Sequence, residues 1–278
     1  MSTKPQRNTY DQFADAYAQS YAYPRTSGFN SNLDLVIPRL VEVVGSVDGL
    51  TVLDAGCGEG IVSRSLVGTA TRVVGIDIVP QLIAYARERD LTQSIIYEVH
   101  DLSRPLSHYQ HTFDLIVSNF VLNDVPDYRG FITTLSASLK PRGRIVLSLN
   151  NPYAALLREK VDNYFDSEAV AQYVFGPALY FHRTMEEYIQ AFYAAGLVLR
   201  RLYDVHMTEA MVAQLPEKNR DFSWYPFYHR FPFVLILELV KHIVSEGGIV
   251  PSPLAATRSA TTDPDRSAQH CHQEGSHE

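Results

Sequence analysis

The sequence predicts an α/β protein whose mostly parallel sheet is covered by helices on both faces. Three observations carry that expectation. From residue 50 onward, short β-branched runs alternate with helix-length stretches, and a parallel crossover needs a connection of that length. Acids stand at or just after the ends of the first three strands, at Asp54, Asp77 and Asp101. The first strand also runs into a glycine-rich string at the head of a helix, and ligands of such sheets bind outside the carboxyl ends of the strands.

The elements follow in order. Positions 10, 13, 14, 17, 18 and 21 repeat at helical spacing, so a helix is expected over about 9–21, ended by Pro24 and Gly28. A second amphipathic helix is expected over 33–44. Strands are read at 50–53, 72–76, 94–99, 113–118 and 144–149, with helices at 61–67, 81–89 and 128–139 and a turn at Pro141-Arg142-Gly143. The period is then lost through an aromatic stretch, 150–183. Thr184 with Glu187 three residues on reads as a capping box for a helix ended by Gly196. A strand at 197–205, a second aromatic stretch at 206–231 and a last strand at 233–240 complete the domain. Three parts are expected: an N-terminal helix over 1–30, a main domain over 31–246 and a disordered tail over 247–278. The tail lacks aromatics and is rich in Gly, Pro, Ser, Thr and Ala.

Composition excludes several classes. The 278 residues carry 31 acidic and 24 basic side chains, for a net charge of −7, so no field favours a nucleic-acid backbone. The longest apolar run, 231–240, contains Pro232 and Glu238 and is about half the ~20 residues of a membrane helix. Two cysteines, Cys57 and Cys271, make no disulfide framework, and a reducing, cytoplasmic setting is expected. His270-Cys271-His272 fits no structural zinc spacing, and no metal is expected.

The chemistry centres on Val52-Leu53-Asp54-Ala55-Gly56-Cys57-Gly58-Glu59-Gly60. Glycines let the backbone turn sharply and approach a ligand. A pyrophosphate dinucleotide wants G-x-G-x-x-G, whereas here the glycines stand at alternate positions and Asp54 precedes them. A carboxylate there repels a pyrophosphate and suits an ammonium group, which weakens a nicotinamide cofactor. Asp77, in Gly75-Ile76-Asp77-Ile78, is placed to accept from both ribose hydroxyls, as in dinucleotide folds. Asp101 suits an adenine amino group with Leu102 against the ring, although an acid there also serves as a turn cap.

These strings, with Phe113-Asp-Leu-Ile-Val-Ser-Asn-Phe and Leu139-Lys-Pro-Arg-Gly-Arg-Ile-Val, resemble the class I S-adenosylmethionine-dependent methyltransferases of the small-molecule branch, over about residues 10–205. The resemblance implies a Rossmann-like seven-stranded sheet with a reversed last strand, an N-terminal helical lid, and S-adenosylmethionine as cofactor. It places Gly56, Cys57 and Gly58 against the methionine part and Asp54 near its amino group. Asp77 and Ile78 fall at the ribose, Asp101 and Leu102 at the adenine, and Asn119 beside the cofactor. Tyr10-Asp-x-x-Ala14-x-x-Tyr17 is similar to the family's lid helix, which brings Tyr17, and Tyr21 after it, to the pocket. Arg183-Thr-Met-Glu-Glu-Tyr before Ala195-Gly-Leu is similar to a helix of the same branch.

For the acceptor the sequence narrows less. Members that methylate amides or bases carry Asn/Asp-Pro-Pro-Tyr after the fourth strand, where this chain has Ser118-Asn-Phe-Val. Oxygen on a small apolar or aromatic molecule is the leading expectation, with carbon and nitrogen open. A general base helps a hydroxyl acceptor. His182 is the first candidate, His206 and His229 are others, and Asn123 is a pocket candidate. A cyclase or isomerase on the same fold, a non-catalytic regulator, and methyl transfer by proximity alone stay open. A homodimer through the N-terminal helices is a further expectation.

Overall fold

The computed structural model describes residues 9–20, 30–68, 70, 72–157, 161, 163–166, 169–173, 177–209, 211 and 231–242. The tail at 247–278, most of the 206–231 stretch, Tyr21 and His229 lie outside the described residues.

Nine strands and seven α-helices are described. In chain order they are α1 (Ala14–Ser20), α2 (Ile37–Val44), β1 (Thr51–Ala55), α3 (Ile61–Leu66), β2 (Arg72–Asp77), α4 (Pro80–Arg89), β3 (Ile95–Val99), β4 (Phe113–Asn119), α5 (Tyr128–Ser138), β5 (Leu139–Asn150), α6 (Pro152–Leu157), β6 (Ala169–Tyr173), β7 (Pro177–Phe181), α7 (Met185–Ala194), β8 (Leu197–Val205) and β9 (Val234–Lys241). Seven strands form one sheet in the order β3-β2-β1-β4-β5-β9-β8, and β6 pairs with β7 in a separate hairpin. β9 runs antiparallel to both β5 and β8, so the reversed strand is the last among the described residues. The chain leaves β1 towards β2 and β3, then returns to β4 on the other side. That reversal opens a crevice at the carboxyl ends of β1 and β4.

The central strands β1, β2, β4, β5 and β9 divide their side chains between two cores, as the two-residue period requires. Val52, Val73, Leu115, Val146 and Ile236 pack on the face covered by α2 and α3. Leu53, Val74, Ile116, Leu147 and Leu237 pack on the face covered by α5 and α7. Continuous apolar runs such as Val-Leu-Ile-Leu in β9 read as doubly buried strands because both faces are covered.

Four local expectations are corrected. The helix over 9–21 is split into a 3₁₀ turn at Thr9–Gln12 and α1. The helix over 33–44 opens with a π turn at Asn32–Val36 before α2, where Pro38 brings no N–H for a regular ladder. Pro141-Arg142-Gly143 is not a free turn but a bulge within β5, since the register with β4 jumps from Phe113↔Leu139 to Leu115↔Arg144. The aperiodic stretch 150–183 holds α6 and the β6–β7 hairpin. By contrast, the capping box of α7 forms as read: Thr184 Oγ1 accepts from the Glu187 N–H, and the Glu187 carboxylate accepts from the Thr184 N–H. Among the described residues no helix is long and apolar enough to cross a membrane.

Candidate active site

The carboxyl edge of the sheet gathers most of the residues singled out in the sequence. Parallel registers align Asp54 with Gly75, Asp77 with Val99, and Asn119 with Ser148. The glycine string leaves β1 and turns back over β2. The Gly56 and Cys57 N–H groups both donate to the Ile76 carbonyl, at 2.8 and 3.0 Å. Gly56 has φ +78°, and a Cβ there would lie 2.2 Å from Val121 Cγ2. Only glycine therefore lets the loop pass under the segment that follows β4.

Asp77 fixes this loop. Its Oδ2 accepts from the Gly58 N–H at 2.8 Å and its Oδ1 from the Val79 N–H at 2.9 Å. Beside it Ile78 is 42% exposed and, across on β3, Val99 is 47% exposed. Two apolar side chains thus stand open at the edge where the resemblance expects a ribose and an adenine. Asp54 is fully buried behind the loop and accepts from Ser63 Oγ at 2.6 Å. Burial pushes its carboxyl up to about 7, against the lowering effect of the Ser63 hydroxyl. Cys57 is a buried free thiol, raised well above its ordinary range by burial and then by Asp54.

Asp101 closes its own turn, accepting from the Ser103 N–H at 2.9 Å and from Ser103 Oγ at 2.7 Å. Leu102 is buried in the core on the α5 side. The Asn119 amide donates to Asn32 Oδ1 at 3.1 Å while its oxygen accepts from Ser148 Oγ at 2.7 Å. Tyr17 comes down from α1 onto the loop, with its ring 3.4 Å from the position of a Cβ on Gly58 and edge-on to Tyr10. The Tyr10 hydroxyl donates to Asp124 Oδ2 at 2.9 Å.

His182 lies at the same edge, because the Phe181 N–H donates to the Asn123 carbonyl at 2.7 Å. The imidazole is buried, and Nε2 stands 2.9 Å from the Tyr164 carbonyl. A carbonyl only accepts, so Nε2 donates, and in the neutral imidazole Nδ1 is then the acceptor. Nδ1 is buried with no hydrogen-bond partner among the described residues. Tyr164 meets the imidazole edge-on at 5.7 Å and stacks on Tyr153 at 5.0 Å. Asn123 is a bolt rather than a pocket wall. It is buried, donates to the Tyr188 hydroxyl at 3.1 Å and accepts from the Asn150 N–H at 3.0 Å.

Sequence reasoning missed two parts of the edge. Arg183 is buried and donates to the carbonyls of Leu122, Val125 and Pro126 at 2.6–3.1 Å, with its guanidinium 4.2 Å from the Tyr128 ring. Glu59, inside the glycine string, is buried against Arg64 at 2.9 Å and Arg89 at 2.6 Å. No spacing in the chain links these partners. A glutamate between glycines reads as a solvated loop residue until its cations are placed around it. Among the described residues no group of His, Cys, Asp and Glu is arranged to hold a metal ion.

A glycine loop under a switch point with acids at successive strand ends is the arrangement of a nucleotide-binding α/β edge, and comparison with known proteins gives the family. Residues 29–201 match the family model described as methyltransferase domain, and the chain belongs to that family. A ubiquinone biosynthesis O-methyltransferase of Xylella fastidiosa is 35% identical over 115 residues, which cover 40% of this chain and 47% of that protein. The chain thus spans about half the length of the curated relatives it matches. In architecture it is similar to an S-adenosylmethionine-dependent methyltransferase of Mesorhizobium loti (TM-score 0.61, 23% identity, 73% of this chain and 95% of that one). It is also similar to magnesium protoporphyrin IX methyltransferase of Synechocystis with bound S-adenosylhomocysteine (TM-score 0.56, 17% identity, 84% and 95%). The fold is that of the S-adenosylmethionine-dependent methyltransferases.

Proposed function

We propose that the protein transfers a methyl group from S-adenosylmethionine to an oxygen of a small apolar or aromatic metabolite. The carrying observation is the loop pinned by Asp77 and covered by Tyr17, with Ile78 and Val99 open beside it. This edge offers the cofactor a close backbone approach, carboxylates for its amino and hydroxyl groups, and apolar contact for its base. In this reading Gly56, Cys57, Gly58, Asp54 and Tyr17 serve the methionine part. Asp77 and Ile78 serve the ribose and Asp101 the adenine; the Leu102 side chain is committed to the core, so at that position only its backbone is open to the base. Asn119 lies alongside. The relatives named for O-methylation and the absence of Asn/Asp-Pro-Pro-Tyr after β4 support oxygen as the acceptor.

Bound there, the sulfonium cofactor supplies an electrophilic methyl group. The chain's own work is to align an acceptor and exclude water, and alignment alone is worth roughly 7–11 kcal/mol. His182 takes the acceptor's hydroxyl proton at Nδ1, while the Tyr164 carbonyl holds Nε2–H and so fixes the tautomer. Tyr153 and Tyr164 stack beside the imidazole. The segment before residue 31 acts as a lid over the main domain, and the protein works in the cytoplasm. A homodimer through the N-terminal helices is part of the same reading, and light scattering decides it.

The test is incubation with methyl-labelled S-adenosylmethionine and a metabolite extract. Label moves into a small product if the reading is right, and stays in the donor if it is wrong. His182→Gln then lowers turnover on that product by roughly 10²–10⁴-fold with S-adenosylhomocysteine affinity unchanged. Full turnover in the variant removes His182 from the mechanism.

A further inference from the structure

Glu59 is a carboxylate inside the glycine string that faces two guanidinium groups. Arg64 binds it twice, at Oε2 (2.9 Å) and at the backbone carbonyl (2.7 Å). One cation already balances one buried anion, so Arg89 is the surplus charge. Arg89 divides its fork: Nη1 donates to Glu59 Oε2 at 2.6 Å and Nη2 donates to the Ala18 carbonyl in α1 at 3.0 Å. The guanidinium lies 5.6 Å from the Tyr85 ring, and the Tyr85 hydroxyl donates to Asp15 at 2.5 Å, again in α1. Ala14 and Ala18 bury their methyl groups on Val79 and Leu82, so α1 rests on α4 along a narrow, small-residue contact. A seven-residue helix is too short to stand alone in water. Its position depends on these ties, and its position decides whether Tyr17 stands over Gly58.

We propose that Arg89 is a positioning residue for the cofactor: it joins the glycine string to the N-terminal helix through Glu59 and the Ala18 carbonyl, and so holds Tyr17 over Gly58. The proposal rests on the site assigned above. Lysine at 89 keeps a charge for Glu59 but lacks the second nitrogen of the fork, so it separates balancing the loop from holding the helix.

The experiment measures S-adenosylhomocysteine binding and amide hydrogen exchange of residues 14–20 in the full-length protein. With Arg89→Leu, affinity falls about tenfold, the size of one charge-assisted hydrogen bond. The loss is in dissociation rate, and exchange in 14–20 rises. Arg89→Lys keeps the raised exchange and recovers only part of the affinity, and it stands alone as the test if the leucine variant does not fold. In a Tyr17→Ala background Arg89→Lys adds no further loss. Unchanged affinity and exchange in Arg89→Lys overturn the proposal, as does a loss that persists in full in the Tyr17→Ala background. Wild-type binding that is abolished by Asp77→Ala reports on the site assignment separately.

Discussion

The two halves of the carboxyl edge are built on opposite plans. Around the glycine loop, backbone N–H groups meet carboxylates: Gly58 and Val79 donate to Asp77, and Ser103 donates to Asp101. Around His182 the acceptors are backbone carbonyls and the walls are rings. Arg183 is held by three carbonyls, His182 by one, and Tyr153, Tyr164 and Phe181 supply the surfaces. The first half is fixed by main-chain geometry, which tolerates few residue types. The second is fixed by side-chain packing, which many combinations satisfy. A cofactor common to many enzymes suits the first plan, and an acceptor particular to one enzyme suits the second.

That contrast breaks most visibly at Asp77. Asp77→Ala strands two loop N–H groups and removes the carboxylate proposed for the ribose, and S-adenosylhomocysteine affinity is expected to fall by more than ~100-fold, with two charge-assisted bonds at ~1.5–3 kcal/mol each in play. Calorimetry checks it, and a loss of under tenfold would show that the backbone alone holds the ligand.

Gly56→Ala comes next. The added methyl meets stiff Val121, and φ +78° is strained for alanine; a destabilisation of about 2–4 kcal/mol is expected, from overpacking and left-handed backbone together. Adding Val121→Ala returns the packing part and leaves about 1–2 kcal/mol of backbone strain. Denaturant melts of the single and double variants separate the two.

Asp54→Asn sharpens the comparison through pH. The folded-state pKa is up at about 7, above the unfolded value of about 3.9. The native state therefore holds the proton more tightly. The stability this adds is complete below about pH 4 and is lost as pH rises through about 7. Asparagine keeps an acceptor for Ser63 without that titration. The variant is expected to melt close to wild type at pH 4–5 and a few degrees above it at pH 8, while binding S-adenosylhomocysteine more weakly. Equal melting temperatures across that range would mean that Asp54 carries no burial cost.

The smallest effect belongs to the packed half. Tyr153→Ala removes a half-exposed ring stacked on Tyr164 and is expected to cost about 0.5–1.5 kcal/mol of stability, with cofactor affinity unchanged. A matching loss of S-adenosylhomocysteine binding would erase the division between the two halves.

The same division explains what was legible in the chain. Strand-end acids and alternate glycines stand in the primary sequence because backbone geometry demands them at fixed offsets, and Asp77 at the end of β2 is readable in that way, although its bond to the Gly58 N–H is not. The capping box at Thr184 and Glu187 was readable for the same local reason. Glu59 with Arg89, Val121 over Gly56, and Arg183 on the carbonyls of 122–126 join residues far apart in sequence, and no period or spacing marks them. The β6–β7 hairpin hid in an aromatic stretch with no clean alternation. Pro141 and Gly143 read as a turn because their local chemistry favours one, but the flanking pairs of β4 and β5 draw them into a bulge.

β9 enters the sheet between β5 and β8, although it is the last described strand to be synthesised. A nascent chain that has emerged only as far as Val205 has β5 as an open margin and β8 without the neighbour it needs. Its exposed apolar rows would then be free to pair with other copies. That hazard ends only when residues 234–241 leave the ribosome and fill the gap, so the reversed strand makes folding wait for nearly the whole of the domain.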